Sequence, residues 1–221
     1  MSKSSVGLSE PAYKSILHQI MTKQLMPGEK IPETKIAQEF HISRTPVRDA
    51  IRQLSNDGLV EIFPNRFAQV KEFSKDEITE IGTLRVSLDV MAVKLAGLFG
   101  SRADFLQLNE LAEACSAAYE AGDGESRRKL DCDFHVKLAE IAGNALLLKF
   151  QRELCMKVEF IMLHYPITVE DECSHLRQHH ELAEALMEHD ETRAVELIIS
   201  HLSSFYGLKD KFPEGFFHMV L

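Results

Sequence analysis

Leu130-Asp131-Cys132-Asp133-Phe134-His135 lies within an amphipathic run, and its reading decides the second half of the chain. Read as helix, it stacks Asp131 and His135, four residues apart, on one face about one turn from each other. A carboxylate and an imidazole aimed at the same point are two metal ligands in need of more. The later sequence offers His179 and His201. Taken alone, the pair also reads as a surface i,i+4 contact, and the rest of the chain has to decide between the two.

The flanks of that stretch are helical throughout. Ser74-Lys75-Asp76-Glu77 is a capping box that opens a long helix, with Ile78, Ile81, Leu84, Leu88, Met91, Ala92 and Leu95 expected inward and Gly100 as its end. Ser101 opens a second helix to about Ala121, and Gly122-Asp123-Gly124 is a loop. Glu125 to Ala142 carries Asp131 and His135, and Gly143-Asn144 stops it. Ala145 to His164 follows, closed by Pro166, then Thr168 to Glu188 and a last helix capped by Asp190 and running to about Leu208. No stretch here reads as strand, so residues 73–221 are expected to form an all-α bundle of about six helices.

His179 lies mid-helix on one of the last two helices, and His201 lies 22 residues later on the other. Leu182, Leu186, Val195, Ile198 and Leu202 supply the apolar stripes that pack these helices together. A turn near Asp190 then brings the two histidines to similar height, the way bundles build metal sites from facing helices. One carboxylate and three imidazoles suit a divalent ion such as Zn, Ni or Mn. His175, one turn before His179, is a further ligand candidate or a neighbour of the site. His180 is expected to be solvated, and His18, His41, His164, His189 and His218 to be surface or packing residues.

Residues 1–72 read differently. Glu10 to Lys23 forms a helix with Tyr13, Ile16, Leu17 and Ile20 inward, and Pro27-Gly28 makes a turn. Glu33 to Phe40 is a short helix. Then comes His41-Ile42-Ser43-Arg44-Thr45-Pro46-Val47-Arg48-Asp49-Ala50-Ile51-Arg52-Gln53-Leu54. Ser43 can cap a helix, and Pro46 is tolerable only in its first turn. Val47, Ala50, Ile51 and Leu54 give the buried stripe, while Arg44, Arg48 and Arg52 recur on another face. Two short helices, a tight turn and a basic second helix make a helix-turn-helix, whose second helix enters the major groove. Arginine there binds guanine O6 and N7 in two-pronged fashion. Gly58 to Phe63 and Phe67 to Val70 alternate like strands about Pro64-Asn65-Arg66, a hairpin wing with Arg66 at its tip. A solvated helix face would explain three arginines alone; the turn, cap and wing together point to double-stranded DNA.

Charge agrees with two modules. The 221-residue chain carries a net −9, yet residues 1–72 hold 10 Lys and Arg against 8 Asp and Glu, and residues 73–221 hold 15 against 26. Cys115, Cys132, Cys155 and Cys173 show no C-x-x-C spacing, and no signal peptide is evident, so reduced thiols and a cytoplasmic location are expected. No apolar run is long enough to span a membrane. The fold class is mainly α: a winged helix-turn-helix with a small β wing, then a helical bundle.

Pro27-Gly28-Glu29-Lys30-Ile31, Ser43 to Leu54 and Gly58-Leu59-Val60 closely resemble the winged helix of the GntR family of bacterial regulators. The resemblance implies DNA contacts by Arg44, Thr45 and Arg48. Ser43, Arg52 and Arg66 complete the candidate DNA face. The family often has arginine early in the second helix and glycine at the wing tip, where this chain has Thr34 and Phe67. Residues 76–208 resemble the FCD domain of the FadR-type branch, on Leu130 to His135, Gly143-Asn144, His179 with Ala185-Leu186 and Asp190, and His201-Leu202. That resemblance places metal ligands at Asp131, His135, His179 and His201. It also places Arg85 of Thr83-Leu84-Arg85-Val86-Ser87-Leu88-Asp89 beside an effector pocket, as a carboxylate-binding group.

The expected function is a metabolite-responsive transcriptional regulator, most often a repressor in this family. It would act as a homodimer on operator DNA, with a small carboxylate effector and no catalytic residue. The rivals are a metal-dependent hydrolase or lyase, a sensor of the metal ion itself, and a metal-free acyl-CoA binder, which the full ligand set argues against.

Overall fold

Ala12, Tyr13, Ile16 and Ile20 recur at helical spacing and form the buried face of α1 (Lys3–Met21). The computed structural model describes residues 3–165, 169–213 and 215–219. Helix α1 begins before the expected Glu10 and runs through Pro11, whose side chain is exposed. The Tyr13 hydroxyl donates to Asp57 Oδ2 at 2.9 Å, tying α1 to the end of α3 (Arg44–Asn56). Between them, α2 (Glu33–Glu39) buries Ile36 and Ala37. Helix α3 buries Pro46, Val47, Ala50, Ile51 and Leu54, the stripe expected from their spacing.

Strands β1 (Val60–Phe63) and β2 (Phe67–Val70) pair antiparallel from Val60↔Val70 to Phe63↔Phe67. The family's wing glycine is absent, and Asn65 supplies the left-handed residue of the turn, at φ 58°. Asparagine tolerates that region better than most side chains do. The Pro27-Gly28 turn lays Gly28 to Ile31 alongside β2, with Gly28 N–H donating to Val70 at 3.0 Å and Ile31 N–H to Ala68 at 2.9 Å. The wing thereby rests on a third, short segment of backbone.

The chain divides into two compact units, Met1–Phe73 and Ser74–Leu221. The second holds α4 (Lys75–Phe99), α5 (Arg102–Glu120), α6 (Gly124–Ile141), α7 (Ala145–His164), α8 (Val169–Met187) and α9 (Glu191–Phe205). A 3-10 turn (Leu208–Asp210) and the short α10 (Phe216–Met219) follow. The expected Ser74 capping box forms with Glu77, and Ser101, expected only as a helix start, makes a second box with Asp104. Asn144 accepts from the N–H groups of Leu146 and Leu147 to start α7, and Asp190 caps α9. The expected stop at Pro166 and start at Thr168 lie outside the described residues.

Helix α4 packs against α6, α7, α8 and α9 and so runs through the middle of the unit. Its buried face corrects the sequence reading. Leu84 is exposed, and the inward positions are Gly82, Arg85, Val86, Asp89, Val90, Ala92, Val93 and Ala96. Hydrophobicity alone placed Leu84 inside, whereas the helix turns its charged Arg85 and Asp89 into the centre. They find polar partners there, which is the condition on which charge can be buried. Tail residues Phe212, Phe216 and Phe217 pack together against the bundle, and Lys211 pairs with Asp76 at 2.8 Å.

Candidate metal centre and nucleic-acid interface

Asp131 and His135 from α6, His179 from α8 and His201 from α9 converge at the centre of the helical unit. Each offers one donor atom, and these atoms all lie within 4.8 Å of one another. All four residues are at most 1% exposed. Donors around a tetrahedral ion bound at about 2.0–2.1 Å sit roughly 3.4 Å apart. His179 Nε2 stands 3.6 Å from Asp131 Oδ1, close to that separation before any ion is considered.

Most of these donor atoms have no hydrogen-bond partner within the fold. His135 Nε2, both ring nitrogens of His179 and of His201, and Asp131 Oδ1 are buried without a hydrogen-bond partner. Buried polar atoms left this way cost about 1–3 kcal/mol each, so such a concentration in one place calls for a ligand. A divalent ion accepts lone pairs from all four residues at once, and the donor set therefore fits one.

A surrounding layer orients these donors. Asp89 Oδ1 lies 3.2 Å from His135 Nδ1 and accepts from Gln151 Nε2 at 3.0 Å. With Nδ1–H donated to Asp89, the lone pair of His135 sits on Nε2, the orphaned atom facing the cluster. Arg85, 2% exposed, directs Nη2 to Asp131 Oδ2 at 3.4 Å, Nε to Asp89 Oδ2 at 3.6 Å and Nη1 to the Tyr206 hydroxyl at 3.1 Å. Gly82 makes room for that tyrosine, since a Cβ there would run into the Tyr206 ring.

Burial pushes His179 and His201 well below the ordinary imidazole value and His175 down to about 4. These rings are neutral at pH 7, the form that binds metal. Burial also opposes the charge on Asp131, while the Arg85 guanidinium beside it works to hold its carboxyl below the usual carboxylate range. Burial likewise works against Arg85, while Tyr206, Asp131 and Asp89 keep it protonated. With His179 and His201 neutral, Arg85 is the standing cation beside Asp131.

His175 is buried and stacks on His201 with ring centroids 3.5 Å apart, yet its nitrogens do not join the four-residue group. His180, expected in solvent, is half-buried: Ser116 Oγ and Asn109 Oδ1 stand 3.1 and 3.3 Å from its ring nitrogens. A polar niche between α5 and α8 holds it. The four cysteines are free thiols.

In the first unit, Ser43, Arg44, Thr45, Arg48, Arg52 and Arg66 are all exposed. Ser43 occupies the N-cap position of α3 without a side-chain capping bond, contrary to expectation, which leaves its hydroxyl for another partner. Arg44, Arg48, Arg52 and Arg66 line one cleft of about 510 Å³ between α3 and the wing, and Glu33, also in its lining, pairs with Arg48. Lys30 and Arg66 both approach the Phe67 ring, at 4.4 and 5.6 Å from its centroid.

Asp89, Gln151, Tyr206, Gly82 and Glu33 were not singled out from sequence. Asp89 and Gln151 carried a faint signal, as polar residues on otherwise apolar helix faces. Tyr206, Gly82 and Glu33 carried none.

A winged helix-turn-helix joined in one chain to a helical unit with a buried polar centre defines a DNA-binding regulator with a sensing domain. Residues 8–70 match the family described as bacterial regulatory proteins, gntR family, and residues 80–204 match the FCD domain. The chain belongs to the GntR family of bacterial transcriptional regulators, in the branch that carries an FCD domain. It is 27% identical over 188 residues to the HTH-type transcriptional regulator McbR of Escherichia coli K12, covering 84% of this chain and 85% of that protein. It is 25% identical over 232 residues to the HTH-type transcriptional repressor NanR of Enterobacter sp. 638, covering 94% and 87%. The solved structure of E. coli McbR/YncC superposes with a TM-score of 0.72 at 24% identity, over 96% of this chain and 99% of that one, a likeness of fold. No helix among the described residues is long and apolar enough to cross a membrane.

Proposed function

We propose that the helical unit holds a divalent cation, Zn, Ni or Mn, on Asp131, His135, His179 and His201, and that a small organic or sugar acid binds there to control operator affinity. The convergence of four buried donors with orphaned lone pairs carries this reading. The ion would supply a Lewis-acid anchor for a carboxylate. This chain's own residues do the rest. Asp89 fixes the tautomer of His135, Arg85 adds positive charge beside Asp131, and the apolar core around Phe134 and Leu202 excludes water.

Operator contacts fall to Ser43, Arg44, Thr45, Arg48, Arg52 and Arg66. A homodimer in the cytoplasm places two winged helices on a pseudo-palindrome, as two-fold symmetric readers do. The effector shifts DNA affinity by its differential binding to two states of the protein. Repression is the favoured sense, as in the NanR relative. A second reading, the ion itself as signal, draws support from Arg85, whose N–H groups already face Asp131, Asp89 and Tyr206.

The test is elemental analysis of purified protein with a thermal-shift screen against organic and sugar acids, on wild type and His179→Ala. Wild type is expected to carry about one ion per chain, and His179→Ala to lose it together with acid-dependent stabilisation while retaining DNA binding. Wild type without metal after growth in metal-replete medium would reject the reading. Metal with no acid effect, but with DNA binding abolished by chelation, would favour the ion as signal.

A further inference from the structure

Glu33 stands where a DNA reader has least use for a carboxylate, among the residues lining the arginine-rich cleft between α3 and the wing. Phosphate is anionic, and an acidic side chain beside it weakens binding, so Glu33 needs a compensating role. Its contacts supply one. A single oxygen, Oε2, accepts from Arg48 Nε at 3.1 Å and from Arg44 Nη2 at 3.3 Å. The Glu33 side chain is 18% exposed, while those of Arg44 and Arg48 are 57% and 56% exposed. The carboxylate is thus largely shielded, while both arginine side chains stay open to solvent.

Which nitrogen is engaged matters chemically. Arg48 is held through Nε, which leaves the fork of its two terminal Nη groups for another partner on a side chain 56% exposed. That fork is the part of arginine that matches guanine O6 and N7. A free arginine would lose side-chain entropy on entering this geometry, a loss that a pre-formed contact reduces. Arg52 is held in a separate pair, with Asp49 at 2.8 Å, so the braces on this face are distinct.

We infer that Glu33 is a specificity-determining positioning residue: it braces Arg48, with Arg44, so that the Arg48 fork presents to a guanine of the operator half-site. The inference rests on the reading of Arg48 as a base-contacting residue. Glu33 itself touches no base in this arrangement. It raises discrimination between sequences at the expense of general affinity for DNA.

The experiment selects binding sites for the full-length protein from a random double-stranded DNA library. Wild type, Glu33→Gln, Glu33→Ala and Arg48→Ala are compared, and affinity for an unrelated duplex is measured beside melting temperature. Wild type is expected to select a half-site with at least one strongly preferred guanine, and Arg48→Ala to erase that preference. Glu33→Ala is expected to lower the ratio of specific to non-specific affinity by about tenfold. Glu33→Gln, which retains one acceptor without the charge, falls between. Both Glu33 variants are expected to bind the unrelated duplex as tightly as wild type or more tightly, which a merely structural role would not produce. If Arg48→Ala keeps the wild-type consensus, the reading of Arg48 fails and the inference fails with it. If Arg48→Ala erases the guanine but both Glu33 variants keep it undiminished, the inference alone fails. It also fails if the Glu33 variants lose specific and non-specific binding in proportion together with thermal stability.

Discussion

Asp89 Oδ1 and His135 Nδ1 lie 3.2 Å apart with neither residue exposed to solvent, joining the central helix α4 to α6. One ring nitrogen of His135 is thereby committed to a carboxylate, and the other is left facing the cluster without a partner. This polarised arrangement is the reason the site reads as a cation centre rather than as packed aromatic rings. Histidine ligands are commonly oriented by a carboxylate on the opposite nitrogen.

Removing that orienting group should weaken metal binding without abolishing it. Asp89→Ala is expected to lower affinity for Zn or Ni by about 10–100-fold. Competition titration against a chromophoric chelator reads the change directly. An unchanged affinity would mean that His135 needs no support from α4.

Acid should destabilise the metal-free protein before the carboxylates titrate. Burial pushes His175 to about 4 and holds His179 and His201 well below the ordinary imidazole value. Below about pH 6.5 the unfolded chain takes up protons that these rings in the fold refuse, so stability falls as pH falls. The window runs from about 6.5 down towards 4, and His175 alone accounts for roughly 3 kcal/mol across it. Asp131, held below the carboxylate range, contributes stability that is present above about pH 3.9 and lost only on further acidification. Thermal melts in EDTA between pH 5 and 7.5 should therefore slope steeply. A flat profile would show that the rings are hydrated.

Gly82 should tolerate no side chain. A Cβ there meets the Tyr206 ring, and that tyrosine's hydroxyl holds Arg85 Nη1 at 3.1 Å. Gly82→Ala is expected to cost about 1–3 kcal/mol through overpacking. Metal affinity should fall as Arg85 shifts against Asp131, while DNA binding by the folded fraction persists. Chemical denaturation paired with metal titration separates the two effects.

The wing should contribute affinity rather than sequence preference. Arg66 is exposed at its tip, beside the Asn65 turn. Arg66→Ala is expected to weaken binding about equally across sequences and to reduce the magnitude of the salt slope by about one. Anisotropy titrations from 50 to 200 mM salt on two unrelated duplexes check this, and a loss confined to one duplex would assign Arg66 a base contact instead.

Two periodicities made most of the fold readable in advance. The alternation about Pro64-Asn65-Arg66 produced the hairpin, and the stripe Val47, Ala50, Ile51, Leu54 produced the buried face of α3. Local rules also found the Ser74 capping box and the start of a helix at Ser101, because a cap is a contact between residues three apart. Hydrophobicity failed on α4, where Leu84 is exposed and Arg85 and Asp89 are buried. A charged residue can lie inside only if something distant compensates it, and the identity of that partner is not a local property.

The sequence by itself determined where most helices and the hairpin lie, the charge difference between residues 1–72 and 73–221, and, with the family resemblance, which four residues are ligand candidates. Periodicity and composition act over a few residues at a time, which is why they survive in a linear string. Tertiary structure alone gave the distances of that expected convergence, with four donors on α6, α8 and α9 within 4.8 Å, and placed Asp89 and Gln151 behind them and Glu33 between Arg44 and Arg48. Those relations follow from how the helices rotate about their axes as the core packs. Only the summed burial of every face fixes that rotation.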